Sequence, residues 1–363
     1  MRNILYFFIC LTLLCTCNDE EQDIVIPATE EQEPMPEPEP EIIDSVQVVL
    51  VEWPDELNDL IIQDFTARLP GYIWGCVYDR ANQDNLLIFS YNILSGQTNV
   101  ISAPENIGLP NFQVIESGPD GKLYLHSSGI VDNRIAIFDT NNNIWSSIEI
   151  PGFINGICVD EVNNNLWVAH KNGVSRYSDN ILSTFDENNS ILSRVVSGTN
   201  NSFFGSLLTV DMSGTLWYAN TNVLYTFING EWSLHPLSPL SDSYIITHIV
   251  ASESEGVLIK VPNESLQQIN STEEIRNYNS ITELIESQRS PINIIGRLSD
   301  ESIIYSHQDG FSYYDSAGNN VVQVNSTNSI LPSGNHAYKI SRDSEGDIWI
   351  GGNQTLAILP SEW

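Results

Sequence analysis

The sequence predicts an all-β protein: a single seven-bladed β-propeller with four-stranded blades, closed by an N-terminal strand. Three observations predict it. From residue 45 onward, short apolar or alternating runs are separated by Asn, Ser, Gly and Asp, without the period of an amphipathic helix. The runs recur in one order: an apolar strand, a turn with Asp or Gly, a strand centred on an aromatic (replaced by Leu or Ile in the degenerate first, fifth and sixth units), a polar loop and a third apolar strand. The centres of the second strands, Leu87, Tyr124, Trp167, Trp217, Leu258, Ile304 and Trp349, are 37 to 50 residues apart. That is the period of one four-stranded blade per repeat.

The units follow one another along the chain. They are WGCVYDRANQDNLLIFSYN (74–92), VIESGPDGKLYLHSSG (114–129), GICVDEVNNNLWVAHKNG (156–173), LLTVDMSGTLWYANTN (207–222), HIVASESEGVLIKVPNE (248–264), IIGRLSDESIIYSHQDG (294–310) and KISRDSEGDIWIGGNQT (339–355). Fourth strands are expected after the second and fourth units, at NNIWSSIEIPG and NGEWSLHPL. PGYIW (70–74) has the form of PGFIN (151–155), so it reads as the lead-in to a first strand. A fourth strand is therefore expected within 58–68, completing the C-terminal blade, whose TLAILP is a third strand without a fourth. VQVVLVEW (46–53) is the alternative closing strand, or an extra outer one. Closure removes free strand edges that invite aggregation.

Asp79, Asp120, Asp160, Asp211, Asp300 and Asp343 fall at or next to the end of a first strand. An Asp there accepts hydrogen bonds from the N–H groups of the following turn. Gly121, Gly214, Gly256 and Gly346 permit positive φ in it. Trp167, Trp217 and Trp349 offer flat faces for packing between blades. Asp343 therefore belongs to a strand–turn–strand unit; Glu345 and Asp347 have no equivalents in most copies, and a loose surface cation is the alternative there. Cys76 and Cys158 lie two blades apart, too far to bridge, and are expected as buried thiols.

The repeats resemble the two-component regulator propeller family. The best match is NSILPSGNHAYKISRDSEGDIWIGGNQTLAIL (328–359), where Leu331-Pro332, Asp343, Gly346, Trp349 and Gly351 stand at the positions of that family's pattern. The resemblance implies a propeller. In that family propellers often form the periplasmic sensor of a hybrid histidine kinase, but this sequence shows no kinase and no room for a second propeller.

The N-terminus reads as an export signal. Arg2 precedes an apolar run from Ile4 to Leu14 that is too short to span a bilayer. LLCTC ends that run and resembles a bacterial lipobox, which makes residues 1–16 a signal peptide and Cys17 the lipidated residue; Cys15, with Leu14 before it, fits the small-residue requirement badly, and an ordinary signal peptide is the alternative. The acidic cluster that follows resembles the surface-export signal of Bacteroidota lipoproteins, implying an outer-membrane anchor facing outward, with the periplasm as the alternative. Residues 17–44 contain EEQEPMPEPEPE and no lysine or arginine. Such Pro- and Glu-rich chain extends and has nothing to bury, so it is expected as a tether to the propeller at 45–363.

The net charge of −33 leaves no basic surface for phosphate backbones, and nucleic acid is not an expected partner. The expected partners are the membrane, through the lipid, and a glycan or surface protein bound without catalysis. The binding face is the one that gathers the lead-ins to first strands and the loops after second strands. The lead-ins carry Tyr72, Phe112, Phe153, Phe203 or Phe204, Tyr244 and Tyr338, several beside an asparagine (Asn111, Asn155, Asn201, Asn335). The loops carry His126, His170 and His307, with Asn220, Lys260 and Asn353 at similar places. Aromatics and amides suit stacking on, and hydrogen bonding to, a neutral polar ligand; the histidines and Lys260 add donors. No cofactor is expected: there is no H-x-x-x-H, H-E-x-x-H, EF-hand, G-x-S-x-G or Rossmann pattern. The alternatives are a metal-dependent propeller enzyme, since GPDGKLYLHSSGIVDNRIAIFD (118–139) looks like a streptogramin lyase unit, or one of the lactonase type, and an assembly scaffold.

Overall fold

The computed structural model describes most of residues 49–361; residues 1–48 and, among others, 128–132, 203–205, 236–245, 279–292, 298–302 and 326–338 lie outside the description. The signal peptide, Cys17 and the tether therefore lie outside the described residues, as do Phe204, Tyr244, Asp300, Tyr338 and Asn353. The described residues are strands joined by turns, with two single-turn 3-10 helices, Asp55–Leu57 and Glu105–Ile107.

The chain opens with β1 (Val49–Val51) and then forms a sheet from β2 (Leu60–Thr66), β3 (Tyr72–Asp79), β4 (Leu87–Asn92) and β5 (Thr98–Ser102). The second sheet holds β6 (Val114–Ser117), β7 (Lys122–His126), β8 (Arg134–Asp139) and β9 (Ile144–Glu149). The third holds β10 (Ile154–Asp160), β11 (Asn165–His170), β12 (Gly173–Ser178) and β13 (Ile181–Phe185). A separate hairpin, β14 (Val195–Ser197) with β15 (Asn200–Ser202), follows and accounts for the widest repeat spacing, from Trp167 to Trp217. The fourth sheet holds β16 (Ser206–Val210), β17 (Leu216–Asn220), β18 (Val223–Ile228) and β19 (Glu231–Leu234). The fifth holds β20 (His248–Ala251), β21 (Val257–Lys260), β22 (Leu266–Ile269) and β23 (Ile275–Tyr278). The sixth holds β24 (Asn293–Arg297), β25 (Ile303–His307), β26 (Gly310–Tyr314) and β27 (Asn320–Asn325). The last comprises β28 (Lys339–Arg342), β29 (Ile348–Gly352) and β30 (Thr355–Leu359), with β1 antiparallel on its outer edge. The architecture is an all-β propeller of four-stranded antiparallel blades.

The first strands of successive sheets neighbour one another, and β28 neighbours both β24 and β2. Ala67 N donates to Ser341 Oγ (2.9 Å), and Thr66 shares a buried hydroxyl hydrogen bond with Ser117 (2.9 Å), so β2 is tied to the sheets on both sides.

The phase of the first sheet differs from the sequence expectation. Residues 60–66 are its first strand and not the closing strand of the last sheet; the pairing partner of β30 is Val49–Val51. WGCVYD is consequently a second strand, Leu87 begins a third, and Asp79 ends a second strand instead of a first. The cause is local. The turn between β2 and β3 is built on Pro70-Gly71, with Gly71 at φ 75°, where the second, fourth and last sheets pair an Asp with a Gly, so the unit lacks the signal that marks the end of a first strand.

Elsewhere the repeat chemistry is as read. Asp160 Oδ1 accepts from Val162 N and Asn163 N, Asp211 Oδ1 from Ser213 N and Thr215 N, and Asp343 Oδ1 from Glu345 N and Asp347 N. Gly121, Gly214, Gly256 and Gly346 all have φ between 80° and 93°. The tryptophans lock neighbouring blades: Trp167 meets Phe227 edge-on at 5.0 Å, Trp217 packs with Val257, Ile259 and Ile269, and Trp349 packs with Phe65, Ile73, Leu87 and Phe89. Gly351 has its own reason: a Cβ there would lie 2.7 Å from Phe65 Cε1, so the missing side chain admits the neighbouring blade's ring. Cys76 and Cys158 are free and buried, and burial holds both thiols well above their ordinary pKa.

Candidate functional site

The ladders place the two faces. His126 lies opposite Val114, His170 opposite Ile154, Asn220 opposite Ser206 and Lys260 opposite His248, so each second strand ends beside the start of its own first strand. His307 ends β25 in the same way, opposite Gly310. Asp79, opposite Leu60, is the equivalent residue of the first sheet, missed because of the phase shift. Tyr72, at the start of β3, belongs to the opposite face with the β2–β3 turn.

Burial separates these residues by role. His170 is fully buried. Its Nδ1 accepts from Asn172 N (3.2 Å), which leaves Nε2 to donate to Ser175 Oγ (2.8 Å), and that hydroxyl continues to Thr184 Oγ1. Burial lowers its pKa to about 4, so it is neutral at physiological pH and serves blade three. His126 is also buried; its Nδ1 donates to the Ser127 carbonyl (2.8 Å), its Nε2 has no partner within the protein, and burial again lowers its pKa. Lys260 is buried beside His248, whose pKa is lowered first by burial and then by the Lys260 charge. Asn155 sits half-buried at the bulge between Ile154 and Gly156. Phe112 is buried and stacks on Trp145, with centroids 5.8 Å apart and planes 7° apart.

Between the first and second sheets, on the face where the first strands begin, lies a cavity of about 230 Å³, lined by Ile61, Gln63, Tyr78, Asn111, Phe112 and Gln113. Ile61 and Tyr78 are direct cross-strand partners, and Gln63 is the residue inserted at the bulge between Ile62 and Asp64. Bulges redirect a side chain without breaking the sheet. Gln113 N donates to the His126 carbonyl (3.1 Å), which fixes the lead-in segment 111–113 against β7. Asn111 and Phe112 are legible in the sequence as an aromatic–asparagine lead-in. Gln63 and Tyr78 are not, because the strand that carries Gln63 was read into another blade.

Below this cavity the first strands hold charged groups close together. Asp64 Oδ2 accepts from Ile115 N (3.2 Å) and Oδ1 faces Lys339 Nζ at 3.7 Å; burial raises its pKa against the pull of Lys339. Burial lifts Glu116 to about 7, opposed by Arg68 and Lys339 and reinforced by Asp64 and Glu161. Arg68 and Glu161, both half exposed, form an ion pair at 2.8 Å. Among the described residues no group of three or more His, Cys, Asp or Glu is placed to hold a metal ion, and no helix is long and apolar enough to cross a membrane.

The fold and its repeating Asp-turn-Trp unit define a β-propeller of the repeat type. Residues 331–354 match the model of the two-component regulator propeller family. The fold is similar to the extracellular domain assigned to a one-component system of B. thetaiotaomicron, with TM-score 0.59 and 16% identity, over 87% of this chain and 40% of that one. It is likewise similar to the extracellular domain assigned to a hybrid two-component system of the same organism, with TM-score 0.55 and 13% identity, over 86% of this chain and 42% of that one. The chain thus spans about two fifths of the length of those structures. No curated protein matches the sequence.

Proposed function

We propose that this chain is a non-catalytic, ligand-binding propeller of the cell envelope, carried on the outer membrane by a lipid on Cys17 and a Pro- and Glu-rich tether. We read its seven four-stranded sheets as the blades of one ring, with β1 supplying the outer strand of the last. The ligand is a glycan or a surface protein. The observation that carries this reading is the chemical contrast between the two faces. On one, the Asp carboxylates are consumed by their own turns and by the tryptophan indoles, as at Asp211 and Asp343. On the other, amide and aromatic side chains line a cavity at the seam of two sheets. The lipobox-like LLCTC and the likeness to extracellular domains support the envelope location.

The test is retention of polysaccharides and of outer-membrane proteins by the immobilised full chain, compared with a chain denatured and refolded without its native fold. Specific retention of one class supports the reading. Metal-dependent turnover of a lactone, lost on chelation, with no retained ligand would replace binding by catalysis. Labelling with radioactive palmitate, abolished in Cys17→Ala, tests the anchor.

A further inference from the structure

We propose that the seam cavity is a subsite for one neutral, hydroxyl-rich ring, a pyranose unit of a glycan, with Gln63, Asn111 and Gln113 as its polar contacts and Tyr78 as its apolar wall. The proposal deepens the binding reading above and rests on it.

Four observations lead to it. The first is chemical type. The chain carries 47 acidic residues, yet the six that line the cavity carry no formal charge and three of them are amides. An amide offers donors and an acceptor together, the counterpart of a hydroxyl, which also does both. A cation site would be lined by carboxylates, and an anion site by arginine or lysine. The second is an unpaired atom. Asn111 Oδ1 is buried and has no partner within the protein. A buried acceptor without a donor is costly, so the Asn111 amide gains by turning toward the cavity, where a ligand hydroxyl supplies the donor. A hydroxyl satisfies it in either orientation of the amide.

The third observation is size. About 230 Å³ lies below the range of roughly 300–1,000 Å³ that encloses drug-sized ligands, and suits a single ring better than an oligomer. The opening at the seam leaves the rest of a chain to run over the face. The fourth is rigidity. The walls are a cross-strand pair (Ile61 with Tyr78), a bulge residue (Gln63) and a lead-in held by the Gln113–His126 backbone bond and by the Phe112–Trp145 stack. Side chains on a fixed frame lose little freedom on binding. Phe112 therefore acts in this site as support, its face occupied by Trp145, while the ligand meets the amides.

The experiment uses the full chain in a zwitterionic detergent, free of sugar headgroups. Methyl glycosides of glucose, galactose and mannose, and glucuronate as the charged counterpart, are titrated by saturation-transfer NMR. At least one neutral glycoside is expected to bind with a Kd of about 1 mM, the level a single small ring reaches. Glucuronate is expected to bind at least tenfold more weakly. Asn111→Ala and Gln113→Ala should each weaken binding about 3- to 10-fold, the value of one neutral hydrogen bond. Gln63→Ala, half-buried at the bulge, provides a variant that spares the core. Melting curves on the same samples show that each variant is folded. Equal binding by wild type and all three folded variants, or a preference for glucuronate, overturns the proposal. Polysaccharide retention is read in parallel. Retention that persists in the variants removes the subsite and leaves glycan binding standing. Absence of both glycoside and polysaccharide binding, with a protein retained instead, removes the glycan reading altogether.

Discussion

Replacing Asp211 with alanine probes the turn unit where its bonds are most numerous. Asp211 is buried, with Oδ1 accepting from Ser213 N, Ser213 Oγ and Thr215 N, and Oδ2 accepting from Trp217 Nε1 (2.8 Å) and Gly256 N (3.2 Å). The Gly256 bond reaches into the next sheet. Ser213 is exposed, so water replaces its lost acceptor. Trp217 Nε1, Thr215 N and Gly256 N belong to buried residues and would be left unpaired, each at about 1–3 kcal/mol. The expected destabilisation is about 3–5 kcal/mol, since the three losses relax together. Asp343→Ala leaves one buried indole, Trp349 Nε1, while the N–H groups of exposed Glu345 and half-buried Asp347 reach water, and should cost about 1–3 kcal/mol. Urea unfolding followed by tryptophan fluorescence and circular dichroism measures both. A double-mutant cycle of Asp211→Ala with Trp217→Phe isolates the carboxylate–indole bond and should return a coupling of about 1–2 kcal/mol. A cost below 1 kcal/mol at Asp211, or a coupling indistinguishable from zero, refutes the assignment of this aspartate as the hub of the turn.

Other outcomes follow from the same frame. His170 holds its proton only near pH 4 when folded and near 6.5 when unfolded, so its own contribution to stability falls by about 3 kcal/mol as pH drops through that window; the difference in unfolding free energy between wild type and His170→Gln should show this dependence, and the His170 resonance should not titrate above pH 5. Glu116 has the opposite sign. The folded chain keeps its proton to about pH 7 against 4.5 unfolded, so its contribution is lost as pH rises through that interval, and Glu116→Gln should raise the unfolding midpoint at pH 8 while leaving it unchanged at pH 4.5. Gly351→Ala places a methyl against the Phe65 ring and should cost about 1–3 kcal/mol, with Phe65→Leu restoring part of it in the double variant. Cys76 and Cys158 should resist a thiol-specific reagent in the native protein and react on unfolding, read by mass spectrometry of the two peptides.

The parts of the fold that were legible share one property: their local chemistry is complete within the repeat. In the third, fourth and last sheets, an Asp, a turn and a tryptophan stand within seven residues, and all three perform the tasks their types dictate. Even there the details diverge. Asp160 spends Oδ2 on Asn163 and Asn165, so the Trp167 indole N–H is buried without a partner, whereas Asp211 and Asp343 each hold theirs. The first sheet was misread because its turn is Pro-Gly and its second strand, YIWGCVYD, is as apolar as a first strand would be. Periodicity alone does not distinguish one fully buried strand from another. The phase is set by long-range contacts instead: Trp349 on Ile73 and Phe89, Ser341 on Ala67, and β1 on β30.

The site was legible only where one blade carries it alone. Asn111 and Phe112 sit in one lead-in, but the cavity also needs Gln63 and Tyr78 from the preceding sheet, 48 and 33 residues earlier than Asn111, and no repeat pattern joins them. The same logic sorts the histidines. They stand at equivalent positions in three of the seven units, yet the two whose side chains are described bond within their own blades. His170 bonds to its own strand and turn, and His126 donates to the residue beside it. Recurrence among blades is thus a signature of structure, and departure from the repeat is where a ligand contact is to be sought. A first-strand bulge recurs at Asn155, but Gln63 departs from the repeat in lining the seam cavity. Deleting Gln63 tests this directly: it restores regular pairing, should leave the unfolding free energy within about 1 kcal/mol of wild type, and should abolish glycoside binding. A deletion that unfolds the protein shows that the bulge serves the ring's closure, and one that binds as before shows that it serves neither.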